Sequence, residues 1–151
     1  MVAMDKKGKR IVQLLVTNPK ISIAEISREV ALTENAVRYR IEQLEKEGYI
    51  RDYRTRLDPA KFGKPFKVMF LIKIEEQDIR KVLMEFPSCN ELVTIFRITG
   101  PYSVMAIGYF KDQNHMQDFI DRHLMKKTHV TEIIECIITQ EWKDDVFMDT
   151  E

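Results

Sequence analysis

Asn35, Arg38, Tyr39 and Arg40 lie close together in one short stretch, and each carries hydrogen-bonding chemistry that a DNA duplex can use. An asparagine amide matches the donor and acceptor on adenine, and a guanidinium fork matches the two acceptors of guanine. Hydroxyls and arginines also bind phosphate oxygens, and Thr33 sits just ahead of the group. Helical phase decides whether these groups act together. At about 100° per residue, with Val37 at zero, Ile41 falls at about 40° and Leu44 at about 340°, one apolar stripe. On the same count Asn35 (about 160°), Tyr39 (about 200°) and Glu42 (about 140°) point away, while Arg38 (about 100°) and Arg40 (about 300°) take opposite flanks. A recognition helix requires this arrangement, with an apolar back, polar groups for base edges and arginines at the sides for phosphates. An amphipathic hairpin inside an ordinary domain has the same periodicity, so phase alone leaves both readings standing.

The elements that must position this face are readable around it. Ile23, Ile26 and Val30 recur at helical spacing, and Ser22 with Glu25 forms a capping box ahead of them. Ala31-Leu32 breaks the period, Thr33 caps a second helix running to Glu47, and Gly48 supplies a left-handed residue to end it. This is the layout of a helix-turn-helix. A further helix over 5–17 precedes it, with Ile11, Leu14 and Leu15 as its stripe, Gly8 as a weak helix residue and Asn18-Pro19 as its end. Its cluster Lys6, Lys7, Lys9 and Arg10 suits either phosphate contact or a solvated face. Residues 49–57 are β-prone and partly alternating, which predicts a wing or an exiting strand. Arg51, Arg54 and Arg56 on that segment are phosphate-contact candidates. Asp58-Pro59, Gly63 and Pro65 mark a linker, so the expected division is a DNA-binding domain over 1–58, a linker over 59–65 and a second domain over 66–151.

Charge is balanced overall at 24 basic against 24 acidic residues, which gives no electrostatic pull on DNA by itself. The two halves differ: residues 1–58 carry 12 Lys/Arg against 9 Asp/Glu, and residues 59–151 carry 12 against 15. A basic head on an acidic body fits that split. With 44% apolar and 32% charged residues the chain has too much hydrophobic material for disorder. The longest apolar run, Val68 to Ile72, is far short of a membrane span. The N-terminus is charged and lacks the apolar core of a signal peptide, so a cytoplasmic location is expected.

Residues 66–143 follow another rhythm. Strands are predicted over 66–74, 91–99, 102–110 and 130–142, with helices over 77–86 (Ile79, Val82, Leu83 and Phe86 inward) and 113–125 (Met116, Phe119, Ile120 and Leu124 inward). The order β-α-β-β-α-β predicts a ferredoxin-like plait, two helices on one face of a four-stranded antiparallel sheet. The whole chain is therefore expected to be α+β, an N-terminal winged helix-turn-helix domain joined to a C-terminal plait. Nothing in the chain covers the other sheet face, and residues 68–74 and 133–138 are nearly continuous in apolar character. A homodimer, sheet against sheet, is the economical cover. The plait's usual strand order would put Cys89 and Cys136 on opposite edge strands, roughly 14 Å apart at about 4.8 Å per strand, too far for a disulfide. His115, His123 and His129 have neither the spacing of a metal site nor that of a triad. No cofactor is expected.

From Asp5 to Gly63 the chain resembles the leucine-responsive regulator family (Lrp/AsnC, the feast/famine regulators). The residues that carry the likeness are Ala36, Val37, Arg40, Ile41, Leu44, Glu45, Gly48, Ile50, Tyr53, Leu57, Asp58, Pro59 and Gly63, and a weaker likeness continues to residue 143. The resemblance implies a sequence-specific DNA-binding transcription regulator. Asn35, Arg38 and Tyr39 would then lie at base edges, and Thr33 and Arg40 on the backbone, with Arg40 alternatively in a structural ion pair. A two-fold dimer implies a pseudo-palindromic site. In the family the second half binds a small-molecule effector and builds dimers that often gather into octamers. Members that sense amino acids carry carboxylates in the turn between the second and third strands. Here the turn is Gly100-Pro101-Tyr102-Ser103, which keeps the glycine and tyrosine but has no acid. Ile133 and Glu135 align with last-strand threonines that face the ligand in several members, so Gly100, Tyr102, Ser103 and Glu135 are the effector candidates. Two other readings stay open. One is an architectural DNA-binding protein of low specificity. The other is an enzyme similar to the haem-pathway decarboxylases that share the plait and carry histidines in it.

Overall fold

The computed structural model describes residues 4–126 and 129–143, and these fall into two compact units that meet in sequence at Arg56/Leu57. The first unit contains α1 (Lys6–Thr17), α2 (Ile23–Val30) and α3 (Glu34–Lys46). Each has the cap its sequence supplies. Asp5 accepts from Gly8 N at 2.8 Å, Ser22 and Glu25 complete both halves of a capping box, and Thr33 Oγ1 accepts from Ala36 N at 3.2 Å. Together these satisfy donors that each helix start would otherwise leave open. Gly8 is poor for helix propensity, and a Cβ there would stand 2.8 Å from Met4 Cγ and 3.1 Å from Asp5 Oδ1, side-chain atoms that would have to shift to admit it. Ala31 ends α2 at φ 50°, a left-handed conformation held by a non-glycine residue, and Lys7 Nζ donates to its carbonyl at 3.1 Å. Gly48, at φ 78°, follows α3 as expected. Ile11, Ile26 and Val37 are fully buried, Val30 and Leu44 nearly so, with Leu14, Leu15, Leu32 and Ile41 packed around them. Full burial contributes about 1.5–3 kcal/mol per aliphatic side chain, which makes this small cluster the main stabiliser of three short helices.

Residues 49–57 differ from expectation. They form no strand and carry no ladder partner among the described residues. β-propensity reports fitness for a pleated, half-buried surface, and the three helices of this unit offer no strand edge to pair with. The stretch read as linker also has structure: a 3-10 turn over Pro59–Phe62, capped by Asp58 and closed by Gly63 at φ 72°, in the second unit.

The second unit contains β1 (Phe66–Ile74), α4 (Ile79–Glu85), β2 (Leu92–Arg97), β3 (Val104–Phe110), α5 (Gln113–Phe119) and β4 (Val130–Ile137). The sheet order is β2-β3-β1-β4 with every pair antiparallel, the expected plait. β1 spans the predicted range, β2, β3 and β4 are shorter than predicted, and α5 continues as a π-turn over Ile120–Leu124 rather than as regular helix. Val68, Phe70, Ile72 and Ile74 alternate inward from β1 and meet Ile79, Val82 and Phe86 from one helical segment and Met116, Phe119, Ile120 and Leu124 from the other. The rings of Phe70, Phe110 and Phe119 pack with centroids 5.3–6.1 Å apart. Cys89 lies ahead of β2 instead of on an edge strand and is buried in this core, Cys136 is on β4, and neither is in a disulfide. Among the described residues no helix is long and apolar enough to cross a membrane.

Candidate nucleic-acid interface and effector turn

On α3 the phase argument translates into exposure. Val37 and Leu44 are buried, Ile41 is partly buried, and Asn35, Arg38, Tyr39 and Glu42 face solvent, Tyr39 at 62%. Arg38 Nη2 lies 4.0 Å from Glu34 Oε2 one turn earlier. Thr33 keeps its hydroxyl proton for a further acceptor while its oxygen caps the helix.

Arg40 is committed elsewhere. Its Nη1 reaches both carboxylate oxygens of Asp5 at 2.8 Å, tying α3 to the cap of α1. The Gly8 N–H first, and the Arg40 guanidinium second, hold the Asp5 carboxyl below its ordinary value. The ion-pair alternative for Arg40 is therefore the one realised in this structure. The 49–57 segment is attached to α3 through Tyr53, whose hydroxyl donates to Glu45 Oε1 at 2.8 Å. Partial burial, and then that bond, push the phenol up to about 12. Arg51, Arg54 and Arg56 are exposed, and Arg54 Nε sits 2.7 Å from Asp52.

In the second unit the turn between β2 and β3 is built around Gly100, at φ 128°, where a side chain would be strained. Ser103 is occupied structurally: its hydroxyl donates to Ile74 O at 3.1 Å and its N–H to Ile72 O at 3.0 Å, which closes the end of the sheet. Tyr102 Oη donates to Glu132 Oε1 at 2.9 Å, and this bond raises its pKa. Glu132 Oε2 in turn lies 3.8 Å from Lys73 Nζ, its cross-strand neighbour. Glu135 pairs in register with Phe70 and Ile133 with Ile72, both on the helix-covered side of the sheet. The acid that reaches the turn is Glu132, not Glu135. Sequence reasoning missed it because a strand's faces depend on register, and a shift of one residue exchanges them.

The open face presents Met69 and Leu71 beside Met105 and Ile107, with Phe96 and Ile134 flanking them. Phe96 is 52% and Ile134 37% exposed. The three histidines are engaged at separate places. His115 Nδ1 accepts from Lys111 N, His123 stacks on Phe119, and His129 Nδ1 lies 2.9 Å from Asp78.

A helix-turn-helix with an exposed polar reading face, followed by a plait with a solvent-facing turn, defines a two-part regulator-type architecture. Residues 4–51 match the model of winged helix-turn-helix DNA-binding domains, and residues 67–146 match that of the Lrp/AsnC ligand binding domain. The chain belongs to the Lrp/AsnC family. It is 27% identical over 145 residues to the transcriptional regulator LrpA of Pyrococcus horikoshii, covering 93% of this chain and 99% of that one. It is 23% identical over 141 residues to the regulator Ptr1 of Methanocaldococcus jannaschii, covering 93% and 95%. Its fold matches a Neisseria meningitidis transcriptional regulator in complex with L-Met at TM-score 0.90, 24% identity and 97% and 96% coverage. It matches Escherichia coli AsnC at TM-score 0.86, 18% identity and 99% coverage of both chains.

Proposed function

We propose that this protein is a sequence-specific DNA-binding transcription regulator, working as a two-fold dimer under the control of a small-molecule effector. The observation that carries the reading is α3, whose buried back fixes Asn35, Arg38 and Tyr39 as an exposed face at the N-terminal half of a recognition helix. Arg38 supplies a fork for guanine and Asn35 an amide for adenine, while Thr33, Arg51 and Arg56 serve the phosphates. Arg40 supports this face through its ion pair with Asp5.

The apolar open sheet face supports dimerisation through a second copy of the plait, because methionine, leucine and isoleucine side chains gain more from apolar cover than from water. A two-fold axis through that face carries two reading heads to a pseudo-palindromic operator. For the effector, the Tyr102–Glu132–Lys73 chain offers a carboxylate, an ammonium and a phenol beside the Gly100 turn. Engagement of that turn would bias assembly and so the number of heads bound together. In the test, Arg38→Ala is compared with the wild type on a selected operator and on shuffled DNA. A loss of about five- to 150-fold on the operator alone supports base reading. An equal loss on both sequences assigns Arg38 to phosphate and removes the main support for specificity.

A further inference from the structure

The reading helix carries more acid than a DNA-facing surface needs. From Glu34 to Lys46 it holds Glu34, Glu42 and Glu45 against Arg38, Arg40 and Lys46, and Arg40 is already neutralised by Asp5. Glu42 lies in the C-terminal half of the helix and Glu45 is taken by Tyr53, both away from the first turn. Glu34 is different: it is the first helical residue, its side chain is 53% exposed, and Arg38 Nη2 lies 4.0 Å from its carboxylate. A carboxylate entering a groove between two rows of phosphates lowers affinity unless it accepts from a base. The amino groups exposed in the major groove are those of cytosine and adenine, and Asn35 is the side chain here matched to adenine.

We infer that Glu34 is a specificity-determining residue that accepts from a cytosine amino group while presenting Arg38 to a guanine. This rests on the DNA-binding role proposed for α3. At 4.0 Å the Glu34–Arg38 contact is too long to consume the guanidinium donors, so the fork stays available to a base near the one Glu34 meets. The spacing is compatible with base pairs two steps apart. Four residues of helix advance about 6 Å, close to two base-pair steps of about 3.4 Å. Each half-site then contains two G·C pairs within two steps, one read by Arg38 and the other by Glu34. A surface pair that merely supported the helix would impose no base preference.

The test is selection from a random duplex library by the full-length wild type, Glu34→Ala, Glu34→Gln and Arg38→Ala, with circular dichroism to verify that each variant keeps its helix content. The wild type is expected to enrich both G·C pairs. Glu34→Ala should lose about tenfold or more discrimination at one of them while holding the rest of the motif. Glu34→Gln should turn that position toward adenine, because an amide pairs with the adenine edge. Helix support alone would not produce that switch. Identical motifs from wild type and both Glu34 variants overturn the role of Glu34 and leave the regulator reading intact. No motif from the wild type overturns both.

Discussion

Replacing Asp5 separates two interactions that the structure places on one carboxylate. Asp5 caps α1 through Gly8 N and pairs with Arg40 Nη1 through both oxygens, each contact at 2.8 Å. Asparagine caps as well as aspartate, so Asp5→Asn removes the ion pair and keeps the cap, whereas Asp5→Ala removes both. The cap contributes about 1 kcal/mol. The pair is exposed by 35% on Arg40 and 53% on Asp5, which puts it in the surface range, with its two-oxygen geometry toward the upper half at about 0.5–1 kcal/mol. Asp5→Asn should therefore cost about 0.5–1 kcal/mol and Asp5→Ala about 1.5–2 kcal/mol. A chain of two units has no single unfolding transition, so the assay is hydrogen exchange at the amides of α1 and α3. At about 1.4 kcal/mol per tenfold change, protection should fall about two- to fivefold in the first variant and about 12- to 27-fold in the second. In the Arg40→Met background, Asp5→Asn should have no further effect.

The pH dependence follows from the sign of the shift. The Asp5 pKa in the folded chain is lowered, by the Gly8 N–H and then by Arg40, so its contribution is complete above the ordinary value of 3.8 and is lost as pH falls through the lowered one. The gap between wild type and Asp5→Asn closes in acid. Equal protection of wild type and Asp5→Asn at neutral pH would refute the argument and return Arg40 to the list of phosphate contacts.

Ala31→Gly should stabilise the first unit by about 0.5–1 kcal/mol, the relief of a left-handed alanine less the extra freedom of glycine in the unfolded chain; unchanged exchange at α2 contradicts it. Ultraviolet titration should show one phenol ionising at about 12, lost in Tyr53→Phe. Because that pKa is raised on folding, its contribution is present below the ordinary value of 10.0 and disappears as pH rises through about 12. Leu71→Lys, at the centre of the open sheet face, should give a folded monomer in sedimentation at concentrations where the wild type dimerises. A lysine in an apolar interface must be desolvated without a partner, so a variant that stays dimeric would rule out the sheet-face interface.

The helices were the most legible elements because their information is local. Caps at Asp5, Ser22 and Thr33 and the stripe Val37, Ile41, Leu44 each concern one helix and its own turn. The plait order was legible for a related reason, since alternating periodicities separate strands from helices. The missing information is what pairs with what. The register of β1 and β4 decides that Glu132, rather than Glu135, meets Tyr102, and only the packing of α1 against α3 brings Asp5 to Arg40. Residues 49–57 show the limit from the other side. Their composition favours a strand, but a strand exists only where an edge is available, and this unit's helices supply none.

The central claim, that α3 reads sequence, is tested most directly by an anisotropy titration of the full-length protein with library-selected duplex, at two salt concentrations and against a shuffled competitor of equal composition. The account predicts at least about a hundredfold preference for the selected duplex, persisting at the higher salt. Equal, salt-sensitive binding to both duplexes would contradict it and identify an architectural DNA-binding protein in its place.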